Sequence, residues 1–171
     1  MAIQKVGVVG CGLMGAGIAQ ISAQAGFATV VREVTAELLE KGLRGIDKNL
    51  GRLVEKGTIT EAAKNEIRGR LHGTTSLEDL KDCEVVVEAI IEKLPAKRAL
   101  FAELDAICPA NTMFASNTSS LTITEIAAST NRPQRFVGLH FFNPVPVMKL
   151  VEVVRTIATD EAVYEEMVAF G

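Results

Sequence analysis

Short, continuous apolar runs recur along this sequence, each followed by a stretch with helical spacing: IQKVGVVG before LMGAGIAQISAQAGF, CEVVVEAI before PAKRALFAELDAIC, and TMFASN before LTITEIAAST. A strand with one face in water alternates apolar and polar residues, whereas a strand that is apolar throughout is covered on both faces. Helices that cover both faces of a sheet are crossover connections between parallel strands. The pattern therefore predicts an α/β chain with a doubly wound, mostly parallel sheet.

Two further runs, ATVVRE ending at Glu33 and RFVGLHFF, complete the alternation. Gly26 closes the first helix, and Pro95 stands near the start of the helix after CEVVVEAI, where its missing N–H costs nothing. Residues from about 35 to 71 are too long for one crossover and read as an inserted helical hairpin turning at Gly57, with Thr58 and Glu61 as a capping box. Leu39, Leu43, Ile46, Leu50 and Leu53 form an apolar stripe on the first arm, and Arg44, Lys48, Arg52 and Lys56 lie opposite, as a solvated face. Gly42, Gly45 and Gly51 each weaken this helix by roughly 1 kcal/mol relative to alanine, which fits close approach of another group.

The 171 residues suit one domain, 1–171, and a net charge of −3 with 48% hydrophobic residues excludes disorder and a general attraction to nucleic acid. Cys11, Cys83 and Cys108 lack the spacing of a zinc site or redox pair, so they read as reduced thiols and no metal is expected. The first strand pattern begins at Ile3, and no apolar run reaches the ~20 residues needed to span a bilayer. The expectation is a soluble, cytoplasmic protein with no leader and no membrane partner.

GCGLMGAG places Gly10, Gly12 and Gly15 at G-x-G-x-x-G spacing between the first strand and the first helix. In that context the motif predicts a Rossmann-type cofactor turn, with Cys11, Leu13 and Met14 completing the segment. Gly10 permits the turn, Gly12 the approach of a pyrophosphate to the helix N-terminus, and Gly15 close helix–strand packing. Glu33, 18 residues after Gly15 at the end of the second strand, suits an adenosine ribose diol and predicts NAD over NADP. Arg32 beside it leaves a 2′-phosphate open.

His140 ends a strand, where a side chain in such a sheet points to the crevice at the carboxyl ends; the alternative is a satisfied core histidine. In the strand after NPVP, Met148, Leu150, Glu152 and Val154 share a face. Glu152 is then a charge among apolar neighbours, in need of a partner. Pairing with His140 would fix the imidazole tautomer and stabilise the imidazolium, as a proton acceptor in hydroxyl oxidation requires. SNTSS, residues 116–120, reads as a small-residue loop with Ser119 or Ser120 as helix N-cap.

Together GCGLMGAGIAQ, VVVEAIIE, FASNTSSL and GLHFFNPVPVMKLVE closely resemble the NAD-binding domain of the L-3-hydroxyacyl-CoA dehydrogenase family, including 3-hydroxybutyryl-CoA dehydrogenases, from about Lys5 to Val154. The resemblance implies reversible NAD-dependent oxidation of an L-3-hydroxyacyl-CoA to a 3-ketoacyl-CoA, in β-oxidation or butanoate metabolism. It makes His140 the catalytic base, Glu152 its charge partner, and Ser119 a donor to the substrate oxygen. It places Asn143 near nicotinamide and substrate, Ala89, Glu92, Lys97 and Asn117 along the cofactor groove, and Asn49 and Lys56 on coenzyme A.

Relatives of that family also include L-gulonate 3-dehydrogenase and a structural lens crystallin, so the scaffold alone does not choose the substrate. Family enzymes continue into a second, helical domain that closes the cleft and forms most of a homodimer interface. Here TDEAVYEEMVAFG reads as a last helix with Thr159 as N-cap. The expectation is a fragment with half of the binding site missing; the alternative is an isolated NAD-binding half with no turnover without its second domain.

Overall fold

The computed structural model describes residues 3–171, and within them the apolar runs become strands with both faces covered. In β1 (Lys5–Val9) every residue after Lys5 is buried, and β4 (Val85–Glu88) and β5 (Met113–Ser116) are buried throughout. In β6 (Phe136–Phe141) His140 alone departs from full burial. β2 (Ala28–Arg32), β3 (Leu71–Thr74) and β7 (Val151–Arg155) complete one sheet in the order β3-β2-β1-β4-β5-β6-β7. Strands β1 to β6 are parallel, and β7 returns antiparallel to β6. The order reverses between β1 and β4, which opens a crevice at their carboxyl ends.

Alternate valines of β4 point to opposite faces. Val85 and Val87 join a core with Ile18 and Ala19 of α1 (Leu13–Gln24), Ile46 and Leu50 of α2 (Ala36–Glu55), and Met167 of α6 (Glu161–Phe170). Val86 joins a second core with Phe101 and Leu104 of α4 (Leu94–Ile107) and Ile126 of α5 (Ile123–Ala127). There Phe101 meets Phe136 edge-on at 4.6 Å, a geometry worth about 0.5–1.5 kcal/mol beyond area burial. The buried Arg132 bonds Asp105 (Nε to Oδ1, 2.6 Å) and donates to the carbonyls of Asp105 and Cys108, closing the end of α4. Burial works to raise the Asp105 pKa, but hydrogen bonds from Asn131 and Arg132 outweigh it and hold the carboxyl below its usual range.

Three local expectations need correction, and one strand had no sequence signal. The inserted hairpin spans α2 and α3 (Glu61–Gly69) as expected, and the segment after it, Leu71–Thr74, is an edge strand. It is four residues long with one buried side chain, too short and too exposed to show a strand pattern. The hairpin does turn at Gly57, where φ is +69°, but Thr58 is not the cap of α3. Its N–H donates to Leu53 O, closing α2, and Thr60 accepts from Ala63 N at 3.1 Å as the true cap. Thr159 does not cap α6 either, because its hydroxyl donates to Phe136 O and leaves Asp160 at the N-cap. Of the three helix glycines only Gly42 answers to close approach: an added Cβ would lie 2.2 Å from Cys11 Sγ, whereas Gly45 and Gly51 face open space. No helix among the described residues is long and apolar enough to cross a membrane.

Candidate active site

The glycine turn lies at the mouth of the crevice. Gly10 has φ +97°, and a Cβ there would sit 2.6 Å from Ala89 O, at the end of the neighbouring strand. Gly15 is held tighter: its Cβ would fall 1.8 Å from Gly10 O, so only glycine lets α1 press onto the turn. Gly12 is the N-cap of α1, with no side-chain cap bond, no acidic residue in the first turn and open space around its Cα. Unfilled N–H donors and the helix dipole are what a pyrophosphate needs. Leu13 opens α1, is 76% exposed and lines the groove beside this N-terminus.

Glu33 is locked beside the turn, with Oε2 accepting from Cys11 N at 2.8 Å and Oε1 from Val34 N at 2.7 Å. Each oxygen keeps a second lone pair for a ribose hydroxyl. Arg32 bonds Thr75 O through Nε at 3.4 Å, toward the sheet edge. Both residues line one cavity of about 550 Å³ with Gly10 and Gly12. These groups fit a dinucleotide whose adenosine ribose is unphosphorylated. Cys11 serves the turn through its backbone: burial first, and then the charge of Glu33, pushes its thiol up to about 11.

At the far side of the crevice His140 and Glu152 face each other across the antiparallel β6–β7 pair, with Nδ1 2.8 Å from Oε2. A carboxylate only accepts, so neutral imidazole carries its proton on Nδ1 and presents the Nε2 lone pair. The Phe142 ring stands 4.5 Å from the imidazole, centroid to centroid. His140 lines a cavity of about 370 Å³ with Met14, Ala89, Ser119, Asn117 and Asn143, which excludes a closed core histidine. The expected apolar setting of Glu152 is not found, since its side chain is 53% exposed, and Met148, Leu150 and Val154 are exposed too. The pairing follows from strand register rather than from a need to neutralise a buried charge.

The loop after β5 forms the cavity wall. Asn117 Oδ1 accepts from Phe141 N at 2.9 Å, tying the loop to the strand that carries His140. Neither Ser119 nor Ser120 caps a helix: both are exposed, the N-cap of α5 is Thr122, without a side-chain bond, and Thr118 Oγ1 accepts from Leu121 N at 3.0 Å within the loop. Thr118 also donates to Glu92, which accepts from Ser119 N at 3.2 Å as well. Burial tends to raise the Glu92 pKa, but hydrogen bonds from Thr118 and Lys97 prevail and lower it. Lys97, expected along the cofactor groove, lines the His140 cavity with its side chain only 2% exposed, and lies between Glu92 Oε2 (3.2 Å) and Glu88 Oε1 (2.5 Å). Glu88 and Thr118 escaped the sequence reading, although a carboxylate closing the all-valine run VVVE was a visible signal.

Asn143 lines the His140 cavity and also a groove of about 610 Å³ between α1 and α2, shared with Gly12, Glu33, Lys41 and Asn49. The Asn143–Pro144 peptide is cis. Lys56 is not gathered with Asn49: it is the C-cap of α2, roughly 10 Å farther along the helix axis.

Comparison with known proteins agrees with this geometry. The family described as "3-hydroxyacyl-CoA dehydrogenase, NAD binding domain" matches residues 5–171. A 3-hydroxybutyryl-CoA dehydrogenase of Bradyrhizobium diazoefficiens is 48% identical over 95% of the chain and 56% of its own length. A probable 3-hydroxybutyryl-CoA dehydrogenase of Bacillus subtilis is 49% identical over 100% of the chain and 60% of its own length. The crystal structure of (S)-3-hydroxybutyryl-CoA dehydrogenase from Ralstonia eutropha superposes with a TM-score of 0.97 at 41% identity, covering 99% of this chain and 60% of that one. The chain thus spans somewhat over half the length of the relatives it matches. By these matches it belongs to the 3-hydroxyacyl-CoA dehydrogenase family, in the part that forms the NAD-binding domain.

Proposed function

We propose that this chain is the cofactor-binding and proton-accepting part of an enzyme that oxidises an L-3-hydroxyacyl-CoA, such as 3-hydroxybutyryl-CoA, reversibly to the 3-ketoacyl-CoA in fatty-acid or butanoate metabolism. The observation that carries the reading is the His140–Glu152 pair, 2.8 Å apart, on a cavity beside the glycine turn. NAD⁺ bound along the crevice supplies the hydride acceptor.

His140 takes the hydroxyl proton at Nε2 as hydride leaves the carbon that bears the hydroxyl, and returns it in the reverse direction. Glu152 holds the tautomer and stabilises the imidazolium. General-base help of this kind contributes typically ~10²–10⁴-fold. Ser119 donates to the substrate oxygen and Asn143 orients substrate against nicotinamide. Gly10, Cys11, Gly12, Leu13, Met14 and Gly15 hold the pyrophosphate, Glu33 the ribose, and Ala89, Glu92, Lys97 and Asn117 the nicotinamide side. Asn49 and Lys56 contact coenzyme A, and their separation along α2 suits an extended ligand.

The remaining length of the relatives supports a second domain that completes the acyl pocket and forms a homodimer. Three free cysteines fit a reducing, cytoplasmic setting.

The test is NADH absorbance with acetoacetyl-CoA, for this chain and for a form that carries the additional length of the relatives, each with its His140→Gln variant. Turnover that His140→Gln abolishes supports the reading. Turnover that survives the substitution removes His140 from the base role, and NADH binding without turnover in either form overturns the substrate.

A further inference from the structure

Glu88 closes β4 beneath the floor of the His140 cavity. Its side chain is 0% exposed, and both oxygens are engaged: Oε1 accepts from Lys97 Nζ at 2.5 Å and Ile90 N at 2.7 Å, and Oε2 from Ser116 Oγ at 2.6 Å. Lys97 continues to Glu92 at 3.2 Å, and Glu92 holds Ser119 N. Two carboxylates therefore share one ammonium, and the cluster carries a net charge of about −1, with Glu88 and Lys97 buried and Glu92 40% exposed at the cavity wall. A buried ion pair is often no more stable than apolar side chains of similar volume. Stability alone does not account for the cluster.

The reaction proposed above moves a positive charge across this cavity. The hydride passes with its electron pair from the substrate carbon to nicotinamide, which loses its positive charge; the hydroxyl proton passes to His140, which gains one. The C–H and O–H bonds break, the C=O forms, and charge balances. Glu152 stands beside the charge that appears on His140. The Glu88–Lys97–Glu92 cluster lies on the same cavity without a bond to the His140 imidazole.

We propose that Glu88 is a positioning residue that, through Lys97 and Glu92, sets the preference of this cavity for oxidised over reduced cofactor. The proposal rests on the cofactor reading above. A net negative floor favours the cationic ring of NAD⁺ over the neutral ring of NADH, and so makes bound NADH the stronger hydride donor.

Four proteins test it by titration of each nucleotide without substrate: wild type, Glu88→Gln, Lys97→Met and the double variant. Their cluster charges are about −1, 0, −2 and −1. The measured quantity is the ratio Kd(NADH)/Kd(NAD⁺). Glu88→Gln is expected to lower it and Lys97→Met to raise it, each on the order of tenfold, as for a unit charge acting across roughly 10 Å at an effective dielectric near 20. The double variant is expected to return to the wild-type ratio even where both affinities have weakened. If all variants weaken both nucleotides alike, Glu88 is only structural and the proposal is overturned. Should Glu88→Gln fail to melt cooperatively, Lys97→Met against wild type carries the comparison. Wild type that binds neither nucleotide would instead overturn the cofactor reading, and this proposal with it.

Discussion

His140 and Glu152 are direct partners across the β6–β7 ladder, with Nδ1 and Oε2 2.8 Å apart. Register alone delivers the carboxylate to the imidazole, because a one-residue slip would turn Glu152 to the other face of the sheet. In a form that carries the additional length of the relatives, His140→Gln is expected to cut kcat by roughly 10²–10⁴-fold with the Kd for NADH nearly unchanged. Glu152→Gln is expected to cost less, since Glu152 is half-exposed and water replaces part of its effect. Steady-state kinetics with acetoacetyl-CoA check both; a larger loss in Glu152→Gln would contradict this order of roles.

Glu33 offers its carboxylate beside the glycine turn while its oxygens brace Cys11 N and Val34 N. Glu33→Ala is expected to weaken NADH binding by at least tenfold, about 1.4 kcal/mol, and to narrow the discrimination against NADPH. Equal discrimination in the variant would show that the dinucleotide lies elsewhere.

Gly15 leaves no space for a side chain, because a Cβ would lie 1.8 Å from Gly10 O. Gly15→Ala is expected to push α1 off the turn, with loss of NADH binding and a fall in Tm of several degrees. Gly45→Ala, where the Cβ meets nothing within 4 Å, serves as the control and should not lower Tm.

Lys56→Glu tests the proposed coenzyme A contact separately from the cofactor. KM for the acyl-CoA should rise severalfold as an attractive charge becomes a repulsive one, with the Kd for NADH unchanged. An unaltered KM would return Lys56 to the solvated face of α2.

Asp105 supplies a pH dependence. Its folded-state pKa is depressed, so its contribution is complete above the unfolded carboxyl value, about 3.9, and is lost as pH falls through the lower folded value. Asp105→Asn leaves the buried Arg132 without its carboxylate, at a cost of about 3–5 kcal/mol at pH 7. Below pH 4 the gap from wild type should narrow, as urea denaturation at pH 7, 4 and 3 would reveal.

The sequence made the parallel sheet legible because strands covered on both faces read as unbroken apolar runs, and the glycine turn because only one residue type meets its close contacts. His140 stood out for the same reason, as a polar side chain inside such a run. Leu71–Thr74 did not, since an edge strand with one buried side chain carries no pattern. The polar floor under the cavity was half visible. Glu88 sits in plain view at the end of VVVE, but its bond to Lys97 depends on how α4 folds back over the strand, and the Thr118 bond to Leu121 N depends on a loop shape that hydroxyl residues of equal propensity cannot announce.

The contact between Gly42 and Cys11 has a consequence for how such a chain can vary. A single methyl group at residue 42 would meet the sulfur at 2.2 Å and the Cys11 carbonyl oxygen at 2.3 Å. The first two turns of the inserted hairpin are therefore part of the nucleotide turn's own scaffold, although 31 positions separate the two in the chain. The hairpin's tip, around Gly57, is bound by no such contact. New surface chemistry can be tried there without disturbing the turn, while the root of the hairpin stays pinned by one sulfur atom.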